Sequence, residues 1–201
     1  MKRFFQLTVI ALLLLTSGLL LSCRSESGQQ DKYSGQPGDF LSWTGSDDAT
    51  HYFTLVRVNN KTGDVHTIGG SDFFTAMAYA PDGTLYGISD ELHIIDSATG
   101  NTVKIGTFLD GIDPDPVLMH GAAFSPAGTL YVVENNASAA DRVFTVNLTN
   151  AALTYVGTPM ALIWDLEFTS DGTLYAAFAD LFTLNASDMT TLTTVGHPGH
   201  Y

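Results

Sequence analysis

Short apolar runs recur along this chain from residue 38 onward, and turns rich in glycine, aspartate and asparagine separate them. The clearest unit is 81–106, with the sequence PDGTLYGISDELHIIDSATGNTVKIG. Its opening Pro-Asp-Gly is typical of a tight turn, because proline presets one backbone angle and glycine accepts a positive φ. The β-branched and aromatic runs that follow, at 84–88, 92–95 and 102–105, predict strands joined by hairpins.

This unit is repeated. The motif GTLY begins at Gly83, Gly128 and Gly172, which lie 45 and 44 residues apart. The second half of the unit returns as VFTVNLTNAALTYVG at 143–157 and as LFTLNASDMTTLTTVG at 181–196. A further apolar segment precedes each GTLY, at 75–80, 120–125 and 164–169, and is predicted to be the first of four strands. Self-similarity at this period indicates a repeat architecture.

A partial copy lies upstream of the three complete ones. Residues 55–69, LVRVNNKTGDVHTIG, match the second half of the unit and place Asn59 where Asp96, Asn147 and Asn185 stand in the other copies. Residues 38–43 can be aligned with 83–88 as a further strand. The partial copy therefore lacks its innermost strand.

These motifs resemble the blades of bacterial extracytoplasmic β-propellers, which read as an apolar strand, pDGtLYg, L-x-x-I-D-x-x-T-G and a closing strand. The resemblance covers 38–196 and implies an all-β propeller with four-stranded blades, three complete and one partial. Propellers close with four to eight blades. Either the chain forms a small, imperfect ring or it is part of a larger propeller, and the sequence favours the second reading.

The N-terminal segment has the features of an export signal. Lys2 and Arg3 precede an apolar run at 4–21, and the chain's single cysteine, Cys23, follows Leu-Leu-Ser. This arrangement is typical of a signal peptide over 1–22, with a transmembrane anchor as the alternative. The segment resembles the lipobox of bacterial lipoproteins, which implies that Cys23 carries acyl chains such as palmitate.

The lipobox resemblance also implies a cellular location. The polar segment 23–37 would be a flexible tether to the membrane, and 38–201 the propeller domain. We therefore expect a lipid-anchored protein on the extracytoplasmic side of a bacterial envelope.

Charge narrows the classes of partner. Eight Lys and Arg stand against 21 Asp and Glu, a formal net charge of −13, and loss of 1–22 would remove two of the basic residues and no acidic one. This balance argues against binding nucleic acid, which needs basic patches. It suits cationic ligands or divalent cations, but a solvated acidic surface is the simpler reading. One cysteine also excludes an internal disulfide.

No catalytic motif of the serine-hydrolase, zinc-protease or phosphate-loop type occurs. The GTLYV strand resembles the gluconolactonase and strictosidine synthase group of propellers, whose metal ligands cannot be matched here residue by residue. The sequence leans away from an enzyme without excluding one.

Two sets of residues are candidates for a site. His120, Trp164 and Asp165 head the innermost strands and are predicted to share one rim, where they could bind a small polar ligand; otherwise the tryptophan fills the channel mouth and the histidine is merely solvated. Asp110, Asp113 and Asp115 in the 108–119 connection could bind calcium, although their spacing is not that of an EF-hand and an ordinary acidic loop is the simpler reading.

We therefore expect a lipid-anchored binding or interaction module for a protein or a small ligand. The alternative is a metal-dependent hydrolase or lactonase with its site at the channel mouth. Exposed strand edges further predict self-association or pairing with additional blades.

Overall fold

The computed structural model describes residues 39–44, 54–70, 72–112, 115–135, 140–160 and 162–196. All regular structure in these ranges is β, in fifteen strands and four antiparallel sheets. The described residues include no helix long and apolar enough to cross a membrane. The predicted signal peptide, Cys23 and the tether lie outside the described residues.

The chain divides into two compact units. The first contains sheet I and the turn 96–101; the second contains sheets II, III and IV. Sheet I has three strands and the others four, each in the chain order of its strands. The strands of sheet I are β1 (Phe40–Thr44), β2 (Thr54–Val58) and β3 (Val65–Gly70), and those of sheet II are β4 (Ala76–Tyr79), β5 (Leu85–Ile88), β6 (Glu91–Ile95) and β7 (Thr102–Thr107). Sheet III consists of β8 (Met119–Phe124), β9 (Leu130–Glu134), β10 (Val143–Val146) and β11 (Leu153–Gly157), and sheet IV of β12 (Asp165–Phe168), β13 (Leu174–Ala177), β14 (Leu181–Leu184) and β15 (Thr191–Gly196).

This arrangement confirms the β-propeller predicted from the repeat. Within the second unit the first strands of sheets II, III and IV are neighbours, β4 beside β8 and β8 beside β12. Sheet I also keeps the predicted register, since Phe40 pairs with Val58 as Leu85 pairs with Ile95. The partial copy is thus a blade without its innermost strand among the described residues.

The turns follow the predicted chemistry. Gly83, Gly128 and Gly172 have φ of 90°, 85° and 88°, values that disfavour any side chain. Beside the first of them, the Asp82 carboxylate accepts a hydrogen bond from the Thr84 amide at 2.9 Å. This aspartate therefore fixes the hairpin in the way the Pro-Asp-Gly motif predicts.

Two apolar clusters hold the second unit together. One lies between sheets II and III and includes the fully buried Ile88, Leu92 and Leu130. The other lies between sheets III and IV and includes Leu166 and Leu174. Because neighbouring sheets share each cluster, burial of these side chains joins the blades as well as the strands within them.

Candidate functional site

Strand direction places three kinds of segment at the same end of sheets II to IV. In an antiparallel four-stranded blade, the start of the first strand, the hairpin between the second and third strands, and the exit of the fourth strand all lie at one end. We call this end of the second unit the loop end. The tight Pro-Asp-Gly type turns and the repeat turns between the third and fourth strands lie at the opposite end.

Exposed apolar side chains are concentrated at the loop end. Met160 is 96% exposed and Ile112 81% exposed, and neither side chain contributes to the core. None of the exposed large apolar residues that the structure describes lies in the turns at the opposite end. The loop-end set is Phe73, Leu109, Ile112, Leu118, Met160, Leu162, Trp164 and Phe178.

Trp164 belongs to this set and directly precedes β12, the position predicted for it. Its side chain is 53% exposed, and its ring packs on Phe178 at 5.4 Å between centroids and an angle of 60°. Phe178 follows β13, so the pair joins the start of β12 to the hairpin after β13. One face of an aromatic pair thus remains available for a partner.

His120 and Asp165, the other two predicted rim residues, lie beside Trp164. A Cβ built at Gly121 would lie 2.9 Å from the Trp164 carbonyl oxygen, which shows how closely β8 approaches β12 here. His120 is largely buried, and its Nε2 lies 4.0 Å from Asp141 Oδ2 without a hydrogen-bond partner. Burial lowers the pKa of His120 more than the neighbouring Asp141 raises it, so the imidazole is neutral at pH 7.

Asp141 lies between His120 and the segment that carries Trp164. It is buried, and its Oδ2 accepts a hydrogen bond from the Ile163 amide at 2.9 Å. The residue after Ile163 is Trp164, so a carboxylate preceding β10 fixes the backbone that presents the indole. The structure therefore brings His120, Trp164 and Asp165 together and adds Asp141 to them.

Arg142 forms ion pairs that hold the 108–119 connection in place. Arg142 donates from Nη2 to Asp110 Oδ2 at 2.8 Å and to Glu134 Oε1 at 2.6 Å, and from Nε to the second oxygen of Glu134. Both carboxylates are largely buried, and their hydrogen bonds raise the pKa of Arg142. The fork geometry of a guanidinium suits this double contact.

The ion pair engages one of the three loop aspartates that were predicted as calcium ligands. Asp110 is engaged by Arg142, Asp115 is exposed, and Asp113 lies outside the described residues. In the part of the chain that the structure describes, no three His, Cys, Asp or Glu side chains converge as a set of metal ligands. A calcium site in this loop stays a prediction.

Two carboxyl groups on the inner strand β12 have unusual acidity. Burial raises the pKa of Asp165 to about 7, against hydrogen bonds from the amides of Leu166 and Ala122. Burial and the nearby Asp165 raise the pKa of Glu167 to about 8. Both are therefore partly protonated near neutral pH and can donate or accept a hydrogen bond.

Sequence reasoning missed Glu167, Asp141 and Arg142. For Glu167 a signal existed, because the aligned positions in the other two complete units are Ala78 and Ala123, both buried. A carboxylate at a position where the other units have buried alanine is a departure from the repeat that could have identified Glu167 as a candidate site residue. Asp141 and Arg142 lie between β9 and β10, in a connection longer than its counterparts in the other two complete units, so the alignment gave them no counterpart.

Comparison with known proteins agrees with the fold. A gluconolactonase from Xanthomonas campestris is 15% identical with a TM-score of 0.50, and the match covers 76% of this chain and 61% of that one. A protein of unknown function from Bacteroides thetaiotaomicron is 13% identical with a TM-score of 0.55, covering 79% and 41% respectively. The chain thus matches less than two thirds of either structure. At such identity the likeness is one of fold.

Sequence comparison gives the family. No curated protein sequence matches the chain. A family model described as "Repeat of unknown function (DUF6923)" matches residues 40–199, which covers all four sheets. The chain therefore belongs to the DUF6923 repeat family.

Proposed function

We propose that this protein is a non-catalytic interaction module that binds a partner protein with its loop end. The observation that carries the proposal is the concentration of exposed apolar side chains there, in contrast to the polar turns at the other end. Exposed apolar side chains grouped at one end of a folded domain are typical of a binding site, since leaving them in water is unfavourable. The connections that carry it are fixed by buried ion pairs and hydrogen bonds, so the surface is formed before a partner arrives.

The chemistry of the surface narrows the class of partner. Its anchor is the half-exposed indole of Trp164, the residue type that most often dominates binding energy when it is buried at an interface. The chain as a whole is strongly acidic. A partner that presents apolar side chains with basic residues at the rim would match both features. A small cationic or sugar-like ligand could use the same indole together with Asp165.

The location is part of the same proposal. The export signal over 1–22 and the cysteine that follows it support a lipid-anchored protein in the cell envelope. A short tether from Cys23 would keep the propeller near the membrane, where its partner would also reside. The partner is therefore sought among envelope proteins.

The test is the size of the complex after gentle solubilisation of the envelope. Ile112→Ser together with Met160→Ser removes two strongly exposed apolar side chains that do not support the core. We expect the unaltered protein to elute in a complex larger than its own oligomers and the double variant to elute without the partner. Val65→Ser, an exposed apolar position on β3, is the matched control and should retain the complex. Equal elution of the double variant and the unaltered protein would refute the proposal.

A metal-dependent hydrolase remains the second candidate. Asp165 and Glu167 favour it, because paired carboxyl groups with raised pKa values are frequent in acid–base sites. If this reading holds, millimolar calcium should raise the melting temperature and a chelator should lower it. Lack of response to calcium, together with no lactone hydrolysis, would leave the interaction module as the supported function.

A further inference from the structure

Each outer strand carries a glycine near its end, and at three of these four glycines another part of the fold packs directly against the backbone. These glycines are Gly69 in β3, Gly106 in β7, Gly157 in β11 and Gly196 in β15, each preceded by isoleucine or valine. A Cβ at Gly106 would lie 2.8 Å from the carbonyl oxygen of Asn150. At Gly69 it would overlap the carbonyl oxygen of Thr99, and at Gly157 that of Asp188. Three of the four glycines are therefore required by close packing.

At Gly69, Gly106 and Gly157 the segment that packs against the glycine is the same element, the turn between the third and fourth strands of the next sheet. We call this element the repeat turn; it comprises 59–63, 96–100, 147–151 and 185–189. The turn 96–100 covers Gly69 within the first unit, and 147–151 and 185–189 cover Gly106 and Gly157 within the second.

Apolar packing reinforces these contacts. Ala151 and Met189, the last residues of their turns, are fully buried with φ of 59° and 62°. Ala151 shares a cluster with Ile105, and Met189 shares one with Val156. Each of these apolar partners directly precedes the glycine that the turn covers.

The surface of β15 has the same features without an occupant. Among the described residues, nothing lies within 4 Å of a Cβ built at Gly196. Leu192 is 62% exposed and Val195 51% exposed, although their counterparts in β11, Leu153 and Val156, are half-buried. We call Leu192, Val195 and Gly196 the vacant socket.

The repeat turn 59–63 is formed but exposed. Asn59 Oδ1 accepts hydrogen bonds from the amides of Lys61 and Thr62 at 2.9 and 3.0 Å. The Gly63 amide donates to the Asn59 carbonyl oxygen at 2.8 Å, as the Ala151 amide does to Asn147. Gly63 has φ of 75°, like Gly100, and a Cβ there would meet nothing within 4 Å among the described residues. This turn is thus already in the conformation that its counterparts use when docked.

We propose that the turn 59–63 of one copy of this protein docks on the vacant socket of a second copy. The two surfaces are complementary because the repeat provides three examples of the same contact, with the same turn and the same glycine. The inner strand of sheet IV does not resemble those of sheets II and III in the same way, since Asp165 and Glu167 replace buried alanine and glycine there. The contact is therefore restricted to the outer strand β15. It joins two different surfaces, so one chain can use both at once.

Sedimentation of the purified protein over a range of concentrations tests this directly. The unaltered protein should self-associate. Gly196→Leu fills the socket, and Asn59→Ala removes the oxygen that caps the turn; each should weaken association at least about tenfold. Gly70→Leu and Asn60→Ala are the matched controls. Gly70 also points to open space but not at the socket position, and Asn60 lies in the exposed turn beside the capping residue. Both should associate like the unaltered protein.

Mixing the two interface variants tests whether the turn of one copy binds the socket of another. Gly196→Leu retains an intact turn and Asn59→Ala an intact socket, so an equal mixture should form one-to-one dimers and nothing larger. A monomeric unaltered protein would overturn the proposal, and so would association that neither variant weakens. A monomer whose melting temperature falls in both variants would show that the turn and the socket meet within one chain.

Discussion

Asp165 and Glu167 allow a quantitative prediction about pH. Both carboxyl groups have raised pKa values, about 7 and about 8 against ordinary values of 3.8 and 4.5. The folded protein therefore binds protons more tightly than the unfolded chain between pH 4 and 8. Where the folded state holds more protons, the free energy of unfolding falls as pH rises. Their contribution is fully present only below about pH 4, where the unfolded chain is protonated as well, and it is lost progressively as the pH rises to 8.

The size of the effect follows from the shift. At about 1.36 kcal/mol per pKa unit, the shift of Asp165 corresponds to at most about 4 kcal/mol. Both side chains keep some contact with solvent, which relaxes the cost of charging them, so we expect about 2 kcal/mol for Asp165→Asn at pH 8. Asparagine retains an oxygen for the Leu166 amide, so the variant should equal the unaltered protein only below about pH 4, where Asp165 is protonated in both the folded and the unfolded states.

Urea unfolding at pH 5, 6, 7 and 8, followed by circular dichroism, measures this difference. Asp165→Asn should become progressively more stable than the unaltered protein as pH rises. Glu167→Gln should behave alike, and the double variant should gain less than the sum, because removing one charge also removes its repulsion of the other.

Asp171→Asn is the control for this series. Asp171 is in an exposed turn, where hydrogen bonds from Thr169 and Thr173 lower its pKa, so it stays charged across the range. Its difference from the unaltered protein should be constant from pH 5 to 8. A constant difference for Asp165→Asn as well, or one that grows on acidification, would refute the reasoning.

Three further predictions concern the site and the anchor. Arg142→Met should lower the free energy of unfolding by about 3–5 kcal/mol in urea titrations, because it leaves the buried carboxylates of Glu134 and Asp110 uncompensated; a loss below about 1 kcal/mol would show that water replaces the arginine. Trp164→Ala should abolish ligand-induced quenching of tryptophan fluorescence and leave the β-sheet circular dichroism unchanged, since the indole is half exposed; unfolding would instead identify it as core. Cys23→Ser should release the protein from membrane fractions or leave it unprocessed, and an unmodified Cys23 by mass analysis of membrane-bound protein would contradict lipidation.

The local features of the fold could be predicted from sequence, because they depend on residues close in the chain. The φ angles of Gly83, Gly128 and Gly172 follow from steric freedom at a hairpin turn, and the strands follow from the spacing of those turns. The repeat also gave the common rim of His120 and Trp164. Identical positions in neighbouring blades must lie at one end, whatever the side chains are.

Contacts between distant segments could not be predicted in this way. The Arg142–Asp110 pair joins residues 32 positions apart, in connections that differ between the blades. Nothing in the repeat indicates which loop acid the arginine would choose. The positive φ of Met189 is a second example, since methionine disfavours that conformation in isolation. Its side chain is held there by burial in the cluster of sheets III and IV.

Site-specific photocrosslinking in intact cells tests the central claim, that the loop end is the interaction surface. A photoreactive amino acid would replace Met160 or Ile112 at the loop end, and Asp82 or Asp171 in the turns at the opposite end. All four side chains are exposed, so none of the four replacements removes apolar packing from the core. The account predicts that the two loop-end positions crosslink to the same envelope protein and the two turn positions to none. Crosslinks from the turns, with none from the loop end, would contradict it.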